Sequence, residues 1–273
     1  MATWLPEVDA GHVKANGKDS SRLRAVILAG GKGTRLYPYT AFIPKPLVPL
    51  GDVPILEVML RQLIRQGITD FTLTLGHLAE LTKAYFLQHK SLMQQATIRF
   101  VEEEQPTGTA GSLANVPGLS DTFLVMNGDL LTDLDFQALV AFHQEQKSQI
   151  TIATYRREVK IDLGVLQIDP DSCVNGYLEK PSYDFQVSMG AYVYEPSVLK
   201  FIQPGQYLDF PTLVLRLLEA GEKVCAFPWS GYWLDIGRPD DYAKAQELFA
   251  ERPQDFGFPA SIPTDECAIQ TVR

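Results

Sequence analysis

The chain has 273 residues, room for one large domain or two small ones. It carries 24 Lys and Arg against 33 Asp and Glu, a formal net charge of −9. That diffuse acidic balance excludes a nucleic-acid partner, which needs a basic stripe, and a composition 45% hydrophobic and 21% charged excludes general disorder.

No apolar run reaches the ~18–20 residues of a membrane span, so no membrane partner is expected. The first 20 residues lack the apolar core of a secretory signal. Three widely spaced cysteines, Cys173, Cys225 and Cys267, form neither a disulfide framework nor a zinc pattern. The expectation is a soluble protein of the reducing cytoplasm.

Residues 1–23 are polar and aperiodic, and read as a flexible N-terminal extension. Order begins at Arg24-Ala-Val-Ile-Leu-Ala29, an apolar run stopped by Gly30-Gly31, which reads as a strand buried on both faces. Between Pro54 and Gln66, Ile55, Met59, Leu60, Leu63 and Ile64 recur at helical spacing, and Gly67 ends the helix. Phe71–Leu75 reads as a strand, Leu78–Gln88 as a helix, and Ala96–Val101 and Thr122–Met126 as further strands. A helix at Phe136–Gln144 and a strand at Gln149–Tyr155 complete an alternating α/β pattern, which implies a sheet with helices on both faces.

After about residue 150 the rhythm changes. Gly164–Ile168 and Gly176–Glu179 bracket Pro170-Asp171 and read as a hairpin. Strands at Val187–Tyr194 and Val224–Phe227 and helices at Phe210–Ala220 and Asp240–Ala250 follow. Residues 251–273 are polar and punctuated by proline, and read as a C-terminal tail or strap. No repeat is present, and in particular no hexapeptide repeat of a parallel β-helix.

The chemistry-bearing motif nearest the start is Leu28-Ala-Gly-Gly-Lys-Gly-Thr-Arg-Leu36, directly after the first strand. Gly30, Gly31 and Gly33 let the backbone turn tightly and aim N–H groups at one concavity, which suits phosphate oxygens. The spacing matches neither a Walker A loop nor the dinucleotide fingerprint, whose third glycine position holds Leu36. Alone it could be a tight turn, but Arg35 and Lys45 add two cations close by. Lys45 lies in Ile43-Pro-Lys-Pro-Leu47, where flanking prolines stiffen the chain around it.

Gly30-Gly-Lys-Gly-Thr-Arg-Leu36 followed by Pro44-Lys-Pro-Leu47 resembles the signature of the sugar-1-phosphate nucleotidyltransferases, such as mannose-1-phosphate guanylyltransferases and glucose-1-phosphate thymidylyltransferases. The resemblance continues, in the family's order, through Pro106-Thr-Gly-Thr-Ala-Gly111, Asn127-Gly-Asp129, Glu179-Lys-Pro181 and Trp233-Leu-Asp-Ile-Gly237. It implies a Rossmann-like nucleotidyltransferase fold with a mixed, mostly parallel sheet over residues 24–250. A nucleotide-binding part would span about 24–150 and a sugar-binding part about 151–250.

By that resemblance Leu28, Gly30, Gly31, Gly33, Thr34 and Asn127 hold the nucleotide, and Arg35, Lys45, Asp129 and Lys180 are catalytic. Asp129 ends an apolar strand, where a carboxylate points into the crevice in which such sheets bind ligands. Asp235 lies 106 residues further on. Each aspartate alone could be a cap or turn residue, and the family pattern places the pair on Mg²⁺. Gly108 would let the backbone approach a flat base, with Glu104 or Gln105 reading its edge. Glu179 and Gly164 would meet the sugar, and Lys180 its phosphate. His77 and the cysteines are left as structural residues.

The activity implied is NTP + sugar 1-phosphate → NDP-sugar + pyrophosphate. The order of preference is GTP with a mannose- or heptose-type phosphate, then dTTP or UTP with glucose 1-phosphate. From another class, a nucleotide-sugar sensor without turnover would share the fold; retention of Lys45, Asp129 and Asp235 favours the enzyme. A homo-oligomer is left open.

Overall fold

The computed structural model describes residues 23–258. The predicted N-terminal extension therefore lies outside the described residues apart from Leu23, as do residues 259–273 of the tail and Cys267.

The strands are β1 (Arg24–Ala29), β2 (Pro49–Leu50), β3 (Val53–Pro54), β4 (Asp70–Leu75), β5 (Thr97–Glu102), β6 (Phe123–Asn127) and β7 (Leu130–Thr132). They continue as β8 (Ile150–Lys160), β9 (Val165–Ile168), β10 (Val174–Leu178), β11 (Ser182–Tyr194), β12 (Val224–Trp229) and β13 (Trp233–Asp235). The helices are α1 (Ile55–Arg65), α2 (Ala79–Gln88), α3 (Lys90–Gln95), α4 (Gly108–Gly111), α5 (Phe136–Gln146), α6 (Phe210–Glu219) and α7 (Pro239–Glu251).

A seven-stranded sheet in the order β12-β8-β11-β6-β1-β4-β5 forms the centre. β11 runs antiparallel to both of its neighbours, and every other pair is parallel. The mixed, mostly parallel α/β sheet expected from the alternation is thus present. β1 shows why its run of apolar residues has no polar face. Ala25, Ile27 and Ala29 enter the core on one side, with α1, α5 and α7, while Val26 enters the other, with α6.

Capping follows the residue types. Asp135 and Asp209 accept the backbone N–H groups of Ala138 and Thr212, both at 2.9 Å, and so start α5 and α6. At the other end of the chain Phe256 is fully buried against α7 and Tyr232, and Arg65 of α1 donates to the carbonyls of Gln254 and Asp255. No described helix is long and apolar enough to cross a membrane.

β8 and β11 are longer than their apolar stretches predict. They reach Lys160 and Ser182, against expected limits at Tyr155 and Val187, and pair antiparallel along that extra length. Residues 156–160 and 182–185 are exposed, so cross-strand hydrogen bonding alone carries the ribbon beyond the core.

His143 of α5 is buried under this sheet. Its Nε2 donates to Glu195 at 3.0 Å, which leaves Nδ1 to accept from the Thr151 hydroxyl at 2.8 Å. Burial lowers its pKa below the usual 6.5, with Glu195 opposing that shift. The unfolded chain therefore binds the extra proton first, so stability is full above about pH 6.5 and falls as pH drops below it. Urea midpoints should decline between about pH 7 and 5.5, and His143→Gln should flatten that slope.

Candidate active site

Three parallel strands, β1, β4 and β6, deliver their carboxyl ends to one crevice. After β1 the chain turns at Gly30, whose carbonyl accepts the His77 N–H at 3.3 Å. A Cβ built on Gly76 would stand 2.7 Å from that carbonyl oxygen, so the β1 and β4 loops touch backbone to backbone. The β6 loop is pinned similarly, because Gly128 N–H donates to the Leu28 carbonyl at 2.8 Å. Gly33 then leads into a short 3-10 turn, Thr34–Leu36, held by the Thr40 hydroxyl on the Gly33 carbonyl.

Pro44 is extended and Lys45 opens another 3-10 turn, as the prolines around it suggest. The Lys45 ammonium pairs with Asp129 Oδ2, and both side chains are largely buried. Oδ1 of Asp129 is buried without a protein hydrogen-bond partner. β7 and β13 pair antiparallel, with Asp235 opposite Leu130, and Ile236 N–H donates to the Asp129 carbonyl at 2.9 Å. That small ladder brings together two aspartates that are 106 positions apart in the chain.

The electrostatics record their proximity. Burial raises the Asp235 pKa first and the Asp129 charge raises it further, while Lys45 and Arg35 oppose both. Burial also pushes the Tyr192 hydroxyl up to about 12; a Ser188 hydrogen bond opposes this, and Asp129 and Asp235 add to it. An orphaned carboxylate oxygen beside a second carboxylate is the donor set that a hard divalent cation takes. Asp129 and Asp235 are the residues that could hold one. Among the described residues no cluster of three or more acidic, His or Cys side chains competes with them.

These groups open on a cavity of about 390 Å³, within the usual range for small-molecule sites. Of the sequence-predicted residues it is lined by Leu28, Gly30, Gly31, Gly33, Thr34, Arg35, Lys45, Gly108, Asn127, Asp129 and Asp235. A Cβ on Gly108 would stand 2.5 Å from the Leu208 carbonyl oxygen, and φ is +82° there, so only glycine fits.

Other predicted residues lie elsewhere. Glu104 and Gln105 are exposed and do not line the cavity; Glu103 does. The Glu103 carboxylate accepts from the Thr107 hydroxyl, and burial raises its pKa while those Thr107 contacts oppose the shift. Three consecutive glutamates give a sequence reader no way to choose between them, because the choice depends on where β5 ends. Thr74, Thr109 and Ser112 also line the cavity unforeseen, and the buried Ser112 hydroxyl has no protein partner. Their only signal was proximity to the glycine motifs.

Gly164, Glu179 and Lys180 are not brought to the cavity. They sit together at the far end of the β8–β11 ribbon. A Cβ on Gly164 would overlap the Tyr177 hydroxyl, and that hydroxyl donates to Glu179 at 3.1 Å. The unbroken β8–β11 ladder from Ser188 to Ser182 is what carries them away from β6.

With this geometry in view, residues 24–252 match the family model described as nucleotidyl transferase. The chain belongs to that family. The mannose-1-phosphate guanylyltransferase of Mycobacterium tuberculosis is 34% identical to this nucleotidyltransferase over 227 residues, covering 81% of this chain and 62% of that protein. The UTP–glucose-1-phosphate uridylyltransferase of Synechocystis is 32% identical over 241 residues, covering 82% and 62%. This chain thus spans about 62% of the length of the curated relatives it matches. Among solved structures, HddC from Yersinia pseudotuberculosis complexed with GMP-PN aligns with a TM-score of 0.64 at 28% identity, over 83% of this chain and 99% of that one. The family resemblance read from the motifs is therefore correct, and so is the fold class.

Proposed function

We propose that this nucleotidyltransferase joins an NTP to a sugar 1-phosphate, releasing pyrophosphate and an NDP-sugar, in the cytoplasm where both substrates are found. The observation that carries the reading is the convergence of Arg35, Lys45, Asp129 and Asp235 on the glycine loop of one cavity. No Ser, Cys or His nucleophile is required, because an oxygen of the sugar phosphate attacks the α-phosphorus and pyrophosphate leaves in line. Holding two anions together and offsetting their charge is then the main catalytic task.

Residues Gly30–Thr34 cradle phosphate oxygens with backbone N–H groups. Arg35 holds the departing pyrophosphate. Lys45, held by Asp129 in the free protein, turns its charge to the α-phosphate in the transition state. A Mg²⁺ ion held by Asp129 and Asp235 would supply further positive charge to the phosphates of both substrates. By the family resemblance Lys180 orients the sugar phosphate and Glu179 with the Gly164 backbone takes the sugar hydroxyls, although none of the three lines the cavity of the free protein.

GTP with a mannose- or heptose-type phosphate is the pair we favour. Guanine presents two kinds of N–H on its pairing edge, and the wall around Gly108 offers the Glu103 carboxylate and the unpartnered Ser112 hydroxyl. Glu104 or Gln105 would reach the edge from outside if the loop closes over the base. A mannose-1-phosphate guanylyltransferase and a GMP-PN complex among the similar proteins support the same order. The uridylyltransferase among them keeps UTP with glucose 1-phosphate as the second choice.

The test is pyrophosphate release with Mg²⁺ from GTP, dTTP, UTP, CTP and ATP against a panel of hexose and heptose 1-phosphates. Release with GTP that requires a mannose-type phosphate is the expected result. Nucleotide binding with no release from any pair would turn the reading to a sensor.

A further inference from the structure

Residues 37–43 lie between two cavity residues, Arg35 and Lys45, and their burial pattern is inverted. Tyr37, Phe42 and Ile43 turn outward, Phe42 being 87% exposed, while the polar Thr40 is only 6% exposed. Thr40 is the only buried residue of the seven. Burial of apolar side chains therefore does not seat this loop. Its backbone turns on itself, with Tyr39 N–H on the Leu36 carbonyl at 2.9 Å and Ala41 N–H on the Pro38 carbonyl at 3.1 Å.

The buried Thr40 hydroxyl reaches back to the Gly33 carbonyl, to which it donates at 2.8 Å. Leu36 N–H donates to the same oxygen at 2.9 Å, so both of its lone pairs are taken. Thr40 Cγ2 and Lys45 Cβ close over the Gly33 Cα. A Cβ added there would stand 2.9 Å from the first and 3.0 Å from the second.

Together these contacts fix one peptide plane. In a trans peptide the C=O and the N–H point in opposite directions. Two donors hold the Gly33 carbonyl toward the 36–40 segment, so the Thr34 N–H faces away from that segment. Thr34 opens its 3-10 turn, which gives that N–H no acceptor within the turn. Gly33 and Thr34 both line the cavity. Reversing the plane would set a carbonyl oxygen where phosphate oxygens are to bind, and a glycine at 33, with φ of +64°, puts little steric barrier in its way.

We infer that Thr40 is a positioning residue, whose hydroxyl orients the Gly33–Thr34 peptide so that the Thr34 N–H is presented to the phosphates of the NTP. Thr40 touches no substrate and acts through Gly33. The identity of the anion rests on the proposed reaction, and the orientation of the peptide rests on the hydrogen bonds alone.

Thr40→Val keeps the shape and removes the donor, whereas Thr40→Ser keeps the donor and removes the methyl group. One hydrogen bond to a charged phosphate is at stake, so Thr40→Val should weaken inorganic pyrophosphate binding about 10- to 100-fold by calorimetry. KM for the NTP should rise with it while KM for the sugar 1-phosphate holds, and Thr40→Ser should recover both the affinity and the KM. A crystal structure of Thr40→Val should show the Gly33 carbonyl turned from its place, which reads the geometry without any turnover. Unchanged pyrophosphate affinity in Thr40→Val overturns the inference, as does an unmoved Gly33–Thr34 peptide. Equal losses in Thr40→Val and Thr40→Ser also overturn it, because the methyl packing would then be responsible. Should Thr40→Val not fold, Thr40→Ala compared with Thr40→Ser isolates the same donor. A wild type that binds pyrophosphate but releases none from any substrate pair sinks the proposed reaction, and affinity and structure still decide the role of Thr40.

Discussion

Asp129→Asn is expected to lower kcat by roughly a thousandfold with little change in thermal stability, because in the proposed reaction it removes charge where the two phosphates would meet. The side chain holds Lys45 through Oδ2 and leaves Oδ1 buried without a partner. A native protein keeps such an atom for a reason, and nothing in the packing requires it. Asparagine keeps the shape but offers a divalent cation only a neutral carbonyl oxygen, and it cannot balance the Lys45 ammonium. Stability should change little, since the loss of one ion pair is offset by relief of the repulsion that raises the Asp235 carboxyl. Asp235→Asn should show the same pattern, with a melting temperature equal to or above wild type, the trade expected where a site stores unfavourable charge. Paired kcat and melting measurements check both variants. A variant that loses activity only because it unfolds would contradict the assignment.

Gly108→Ala carries the largest expected structural effect. The residue has φ of +82°, and its added Cβ would press on the Leu208 carbonyl oxygen and carbon at 2.5 and 2.8 Å. Leu208 cannot move freely, because its N–H donates to Thr107 and its carbonyl accepts from Ala110 and Gly111. Strain at the positive φ and displacement of this knot together should cost about 2–4 kcal/mol. For a domain of this size that lowers the melting temperature by roughly 5–15 °C. Nucleotide affinity should fall at least about tenfold, since the cavity wall moves with α4. Denaturation and nucleotide titration measure the two effects separately; Gly118→Ala, at another positive φ with only Arg24 nearby, controls for backbone strain alone.

How far the sequence could be read depended on the range of the forces involved. β1, α1 and α2 were found within a residue or two, because a buried run or a 3.6-residue period is a local signal. The outer halves of β8 and β11 were not. Arg156, Arg157 and Glu158 look like a surface loop until their pairing with Asp184, Phe185 and Gln186 shows the apolar stripe.

The same holds inside the site. The glycine loop, Lys45 and Asp129 announced themselves through motif and local stiffness. The β7–β13 ladder that sets Asp235 against Leu130 is three residues long and joins segments about a hundred positions apart, beyond any periodicity argument. Glu103 was passed over for its neighbours Glu104 and Gln105 because one residue of strand length decides which side chain turns inward. The distance of Gly164, Glu179 and Lys180 from the cavity is a property of the ribbon, and no motif encodes it.

In the proposed reaction the sugar phosphate attacks the nucleotide directly, with no covalent nucleotidyl-enzyme. Exchange of labelled pyrophosphate into the preferred NTP, measured with and without the sugar 1-phosphate, tests it most directly. Exchange is expected only when the sugar phosphate is present, and should be lost in Asp129→Asn. Exchange without the sugar phosphate would reveal a covalent intermediate and contradict it.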